Sequence, residues 1–248
     1  MRFHLISCEV FYREICHAMA RSRHEVDLRF LPKGLHNYAG LSMRQRIQDC
    51  IDAGDARGYD AVLLGYGLCG LGLVGIQARS APVVLPRAHD CITVLLGSRE
   101  RYAEYALENP GTYYLSSGWI ERNGSEEGER QLTPLLSTGP AVVYEDLVAK
   151  YGEDNAKFLW NELYGPAKHY GSISFISMGV EPTEHFRSIA RQRAERWGVG
   201  YQELRGDMTI LDRLINGPWD GDFQVIRPGE ALRPTYDDAI VGAETPAT

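Results

Sequence analysis

The chain has 248 residues, with 26 Lys and Arg against 33 Asp and Glu and a formal charge of −7. Hydrophobic residues make up 44% and charged residues 24%, which excludes a disordered or fibrous chain and leaves room for one large domain or two lobes. An acidic balance without a basic stripe argues against nucleic acid as the partner, because phosphate binding needs concentrated Lys and Arg.

In chain order, Arg2 to Cys8 reads as a short apolar strand, and Glu9 to Arg21 as a helix. The opening apolar run is too short for a signal peptide and is interrupted by Glu9 and Arg13. No run of about 18 apolar residues follows. No membrane span is therefore expected, and a cytoplasmic location is. His24 to Phe30 is a second strand, and Leu41 to Ala53 has helical spacing at Met43, Ile47, Cys50 and Ile51. Asp60 to Gly65 and Pro82 to Leu85 are continuous apolar runs, as expected for strands buried on both faces. Thr112 to Leu115 repeats the signal more weakly.

The polar, glycine-containing stretch from Arg122 to Arg130 marks a surface loop or lobe boundary. Beyond it, Tyr144 to Leu163 reads as mostly helical, Ser172 to Met178 as a strand, Pro182 to Trp197 as a helix and Val199 to Leu204 as a strand. Asp207 is a candidate N-cap for the helix Met208 to Ile215, and Phe223 to Ile226 is a last strand. The expected architecture is α/β, a mostly parallel sheet built from repeated βα units. Its two halves can be read as Rossmann-like lobes facing a cleft. The expected division is an N-terminal lobe over residues 1–121, a C-terminal lobe over 131–236 and a flexible tail over 237–248.

Five cysteines in a reducing compartment are read as core residues, metal ligands or catalytic thiols before disulfides. Cys16 and Cys50 fall inside predicted helices and read as core. Cys8 follows the first strand, Cys69 the third, and His89 and Cys91 the fourth. The carboxyl ends of parallel strands line one edge of a sheet, and ligands bind there. Residues distant in sequence are thus predicted to converge on a soft or borderline metal, zinc above all. With Cys8 as a ligand, the set is a closed Cys3His site. Without it, Cys69, His89 and Cys91 leave a fourth position open for substrate, as catalytic zinc requires.

Asp90 either orients an imidazole or caps the following helix. Arg87 and Tyr66 lie near the same edge, and Arg87 could hold an anionic group or form a salt bridge. Gly65, Gly67 and Gly70 match a dinucleotide-binding spacing, as do Gly70, Gly72 and Gly75. The loop follows the third strand and not the first, so Gly67 and Gly70 are better read as letting the backbone bring Cys69 close to a bound cofactor. Tyr113, Tyr114 and Trp119 could wall a pocket or pack in the core, and Glu181 or Asp207 could face the metal across the cleft. No nucleophile elbow and no His-Glu-x-x-His stands in the chain.

Three strings carry a resemblance. They are Gly65-Tyr-Gly-Leu-Cys-Gly70, the segment Leu85-Pro-Arg-Ala-His-Asp-Cys91 continuing to Ser98, and Pro110 to Trp119. With the late segments Gly206 to Trp219 and Phe223 to Gly229, they resemble the bacterial and archaeal family called domain of unknown function 1638. The resemblance implies an association with corrinoid-dependent methyl transfer, and so a corrinoid or a methyl-transfer partner protein. The corrinoid-ligating pattern Asp-x-His-x-x-Gly is absent from the chain.

The leading expectation is a zinc-dependent enzyme of small-molecule metabolism that activates a substrate thiol for methyl or alkyl transfer, its ligand set being similar to that of thiol-alkylating zinc methyltransferases. One alternative is a [4Fe–4S] lyase, dehydratase or desulfidase with Cys8, Cys69 and Cys91 on the cluster and His89 as acid or base. Another is a metal or corrinoid carrier without turnover.

Overall fold

The computed structural model describes residues 1–37, 41–122, 144–164 and 170–246. The apolar runs take the centre of a sheet. Strand β1 (Arg2–Cys8) lies between β2 (Glu25–Leu31) and β3 (Ala61–Gly65), and β4 (Val83–Pro86) follows β3. These four are parallel, with Phe3 opposite Ala61, Ser7 opposite Gly65 and Cys8 opposite Leu31. Every residue of β3 and β4 is buried, so two-sided burial, not alternation, produced their continuous apolar pattern. The outer strand β2 is more exposed and more polar.

The sheet closes with a strand from far along the chain. Strand β8 (Phe223–Ile226) pairs antiparallel with β4, giving the order β2-β1-β3-β4-β8. A second sheet holds β5 (Thr112–Leu115), β6 (Ser172–Ser177) and β7 (Gly200–Arg205), all parallel. The mostly parallel α/β architecture thus stands, but the sheets do not follow the expected lobe boundary. Strand β5 joins the second sheet and β8 joins the first, because each apolar run pairs with the edge that its flanking helices leave open.

Helix α1 (Tyr12–Ala20) follows a short 3-10 turn (Glu9–Phe11), and α2 (Leu41–Asp55) buries Met43, Ile47, Cys50 and Ile51 at the expected spacing. After β4 come α3 (Cys91–Leu96), α4 (Arg99–Glu108) and, beyond β5, α5 (Ser117–Glu121). The helical stretch from Tyr144 is two helices, α6 (Tyr144–Tyr151) and α7 (Glu153–Tyr164), broken at Gly152 with a φ of 76°. Helix α8 (Thr183–Trp197) covers the second sheet with Phe186, Ala190 and Ala194. Helix α9 (Thr209–Asn216) turns Ile210, Leu211, Leu214 and Ile215 inward against the first core. Trp119 packs against both cores.

The C-terminal segment, expected to fray from Asp237, forms a hairpin of β9 (Ala231–Pro234) and β10 (Val241–Glu244). Ile240 and Val241 are buried and anchor it. The hairpin also grips the segment downstream of Cys69, since Gly75 N–H donates to Leu232 O at 2.8 Å and Leu232 N–H to Ile76 O at 2.8 Å. The expected Arg122–Arg130 loop lies, after Arg122, outside the described residues.

Candidate functional site

The connection leaving β1 runs to β2 on one side, and the connection leaving β3 runs to β4 on the other. The carboxyl edge between β1 and β3 is therefore the topological switch point, where open α/β sheets bind ligands. Cys8 is the last residue of β1. Cys69 lies in the turn after β3, and Cys91 opens α3 just beyond β4.

Two contacts close the gap between these loops. Leu68 N–H donates to Ala88 O and Cys69 N–H to His89 O, both at 2.8 Å. A Cβ on Gly67 would lie 2.7 Å from the Cα of Asp90, so only glycine permits this approach. Gly70 has a φ of 71° with open space around its Cβ position, so its requirement is conformational. Cys69 itself has a φ of 51°, a left-handed backbone that costs a non-glycine residue about 1–3 kcal/mol.

Burial dominates at all three thiols. It pushes the Cys8 thiol up to about 12, with Val10 and Lys33 opposing and Glu9 adding. Burial also raises Cys69, helped by Cys8 and Asp90 and opposed by Gly67. Cys91 is raised by burial, then by Asp90, Cys69 and Cys8, with the Trp119 side chain opposing. All five cysteines are free, and Cys16 and Cys50 lie in α1 and α2.

His89 stands differently. Its imidazole is exposed, while its backbone carbonyl accepts from Cys69. Among the described residues, no three side chains of His, Cys, Asp or Glu are arranged as a ready-made cage for a metal ion.

Asp90 caps α3, its Oδ1 accepting from Thr93 N–H at 2.9 Å and Thr93 Oγ1 at 3.0 Å. Burial contributes most to raising the Tyr102 hydroxyl, and Asp90 adds to that rise. Arg87 points away from an open ligand. Its guanidinium donates to the carbonyls of Phe223, Ala239 and Val241 and to Gln224 Oε1, tying β4 to the C-terminal strands. Glu181 is held by Ser177, Thr183 and the N–H of Val180, and Asp207 accepts from Thr209 N–H at 2.7 Å. Neither is among the groups whose charges act on the thiols.

Several residues at this edge escape motif reasoning. Lys33 is buried, donates through Nζ to Trp119 O at 3.3 Å, and lies 5.0 Å from the Trp119 ring. Its backbone N–H binds Glu9 Oε1 at 3.0 Å. It follows β2, so the strand-end rule that singles out the cysteines applies to it as well. Trp119 is brought in because Gly118 lets α5 close on Val10 O, which a Cβ would meet at 1.8 Å. Tyr66 is buried, and its hydroxyl has no partner.

These features define an α/β protein with cysteines just beyond the first, third and fourth strands of its parallel sheet. The family described as protein of unknown function (DUF1638) matches residues 30–215, and the chain belongs to that family. The matched range includes Cys69, His89 and Cys91, and begins after Cys8. No curated protein and no solved structure matches the chain. Among the described residues, no helix is long and apolar enough to cross a membrane.

Proposed function

We propose that the protein is a metal-dependent enzyme of small-molecule metabolism whose metal is held by Cys8, Cys69 and Cys91. One observation carries this reading: Cys8, Cys69 and Cys91 follow the adjacent parallel strands β1, β3 and β4 at the switch point, and the Cys69 and Cys91 loops are joined by hydrogen bonds from Leu68 and Cys69 to Ala88 and His89. Thiolates are soft ligands, suited to zinc or iron–sulfur chemistry. Metal arrival releases the thiol protons, which removes the penalty of burying thiolates near one another.

Zinc bound here would supply a Lewis acid that keeps a substrate thiol as thiolate, the nucleophile required for methyl or alkyl transfer. The chain's own residues divide the remaining work. Trp119 and Tyr66 exclude water from the thiols. The Asp90 cap fixes the start of α3 and hence Cys91. Lys33 places a cation beside an otherwise anionic cluster, and the exposed His89 offers a proton carrier at the rim.

A second reading, a [4Fe–4S] cluster with one open iron serving a lyase, dehydratase or desulfidase, is favoured by one observation. His89 is exposed while Cys8, Cys69 and Cys91 follow neighbouring strands, which leaves three thiols without an imidazole, the ligand set of such a cluster.

The test is elemental analysis and a visible spectrum of anaerobically purified protein. Colourless protein with about one zinc supports the first reading. Absorption near 400 nm that bleaches in air supports the second. Cys8→Ser, Cys69→Ser and Cys91→Ser should each lower bound metal sharply, and Cys16→Ala and Cys50→Ala should not. Full occupancy in the Cys91→Ser protein would reject the site. Metal held without turnover of any thiol or alkyl donor would identify a carrier.

A further inference from the structure

The second sheet has two unlike faces. Side chains alternate along a strand, and the register places Tyr114, Ser174 and Gln202 side by side, as it does Thr112, Ser172 and Gly200. The opposite face carries Leu115, Ile173 and Phe175, which pack under α8 with Phe186, Ala190 and Ala194. A parallel sheet is normally apolar on both faces because helices cover both. Here one face is polar, and none of its side chains just named is charged. Helix α4 lies on it, yet α4 buries none of its own residues. Tyr105 O–H donates to Gln202 Oε1 and lies 2.8 Å from Ser174 Oγ, and Gln202 Nε2 donates to Asn109 Oδ1 at 3.2 Å. The Tyr114 ring centroid is 6.1 Å from that of Tyr105, and the Tyr114 hydroxyl is buried without a partner.

We propose that α4 is a cover over this polar face, swinging from its first turn and latched by Tyr105 on Ser174 and Gln202. The first turn is the fixed end. Arg99 donates to Asp238 O, Arg101 donates to Leu96 O at 3.1 Å and to Arg205 O, and Tyr102 packs against the first core. Beyond that turn the hydrogen bonds to the sheet are those of Tyr105 and Asn109, and Leu107 is 83% exposed. Lifting an apolar face costs free energy in proportion to its area. Lifting a polar latch exchanges its hydrogen bonds for water at small net cost. The link from Asn109 to Gly111 can extend to about 10 Å, and Gly111 already has a φ of 72°. Opening presents Tyr114, Ser174 and Gln202 to small molecules as a neutral surface of hydroxyls and an amide. Neither a thiol nor a metal takes part, so the cover stands or falls apart from the metal reading.

The test combines amide hydrogen exchange with thiol labelling of the full chain. Exchange is followed by mass spectrometry in wild type, Tyr105→Phe and Tyr201→Phe, the last a control because Tyr201 stands on the face covered by α8. Amides from Tyr105 to Asn109 should exchange at least roughly ten-fold faster than those of α8, with little dependence on low urea. Tyr105→Phe should speed them by roughly a further ten-fold, and Tyr201→Phe should not. Protection of α4 equal to that of α8, lost only with global unfolding, overturns the proposal. Labelling separates a swinging cover from a fraying helix. Ser174 and Ile173 are both 0% exposed, one on the face under α4 and the other on the face under α8. A small thiol reagent should modify position 174 of Ser174→Cys at least roughly ten-fold faster than position 173 of Ile173→Cys, read by peptide mass in native buffer. Equal rates at the two positions overturn the proposal even where the α4 amides exchange quickly.

Discussion

Helix α1 carries a carboxyl group in a place that disfavours its charge, and replacing it should change how stability depends on pH. Glu14 is 0% exposed and neither of its carboxylate oxygens has a partner. Burial raises its pKa from the ordinary 4.5 to about 7, with Glu181 and Glu121 adding to the rise and its own backbone N–H and Arg13 opposing it. Arg13 is itself engaged with Glu121, at 3.0 and 2.8 Å. In the folded protein Glu14 therefore binds a proton more tightly than in the unfolded chain. Its contribution to stability is fully present below pH 4.5, is lost as pH rises toward about 7, and changes no further above that.

At about 1.4 kcal/mol per pH unit, the interval amounts to about 3 kcal/mol. Glu14→Gln removes the titration and keeps the shape of the side chain. Urea unfolding of both proteins between pH 4 and pH 8 isolates the effect, because every other titrating group cancels in the difference. The Glu14→Gln protein should gain about 3 kcal/mol relative to wild type across that range. A difference that stays constant with pH would refute the reasoning. It would mean that the carboxylate finds a compensating partner in the folded chain.

Two further substitutions probe the thiol edge. At Cys69, whose φ is 51°, the usual order of small residues should invert. Cys69→Gly should unfold at higher urea than Cys69→Ala, since glycine adopts a left-handed backbone freely and alanine does not; the opposite order would remove the strain argument. Gly67→Ala should separate the Cys69 and Cys91 loops, because its Cβ would lie 2.7 Å from Asp90 backbone. Bound metal should fall by at least ten-fold while the circular dichroism of the fold persists, and unchanged metal content would show that the loops need not touch.

Much of the first sheet was legible because burial on both faces leaves an unmistakable run. Arg2–Cys8 and Phe223–Ile226 have the bounds that their apolar patterns suggest, as does the less buried Thr112–Leu115 of the second sheet. Pairing was not legible. Nothing in Phe-Gln-Val-Ile says that β8 returns more than a hundred residues later to lie antiparallel beside β4. Helix α4 was missed because it buries none of its residues, so it lacks a periodic face. The terminal hairpin was missed for a similar reason. Its strands are four residues each, and they are held by the guanidinium of Arg87, a side chain 150 residues away that looked like an anion ligand.

At the site, strand-end logic located Cys8, Cys69 and Cys91 because the carboxyl edge follows from parallel topology alone. Exposure of His89 was not readable from its place two residues before Cys91. That depends on how the turn into α3 is wound, which the Asp90 cap determines.

The departures from stable design are concentrated, not scattered. A sequence selected for stability alone would place glycine at position 69, where the backbone is left-handed, and phenylalanine at 66, where the hydroxyl has no partner. Both positions lie within four residues of the end of β3, at the edge where burial raises the thiols of Cys8, Cys69 and Cys91. Locally unfavourable choices persist where the surrounding structure enforces them and function requires them. Here the enforcement is visible in the paired hydrogen bonds from Leu68 and Cys69 to the loop after β4 and in the hairpin that grips the chain from Gly75 onward.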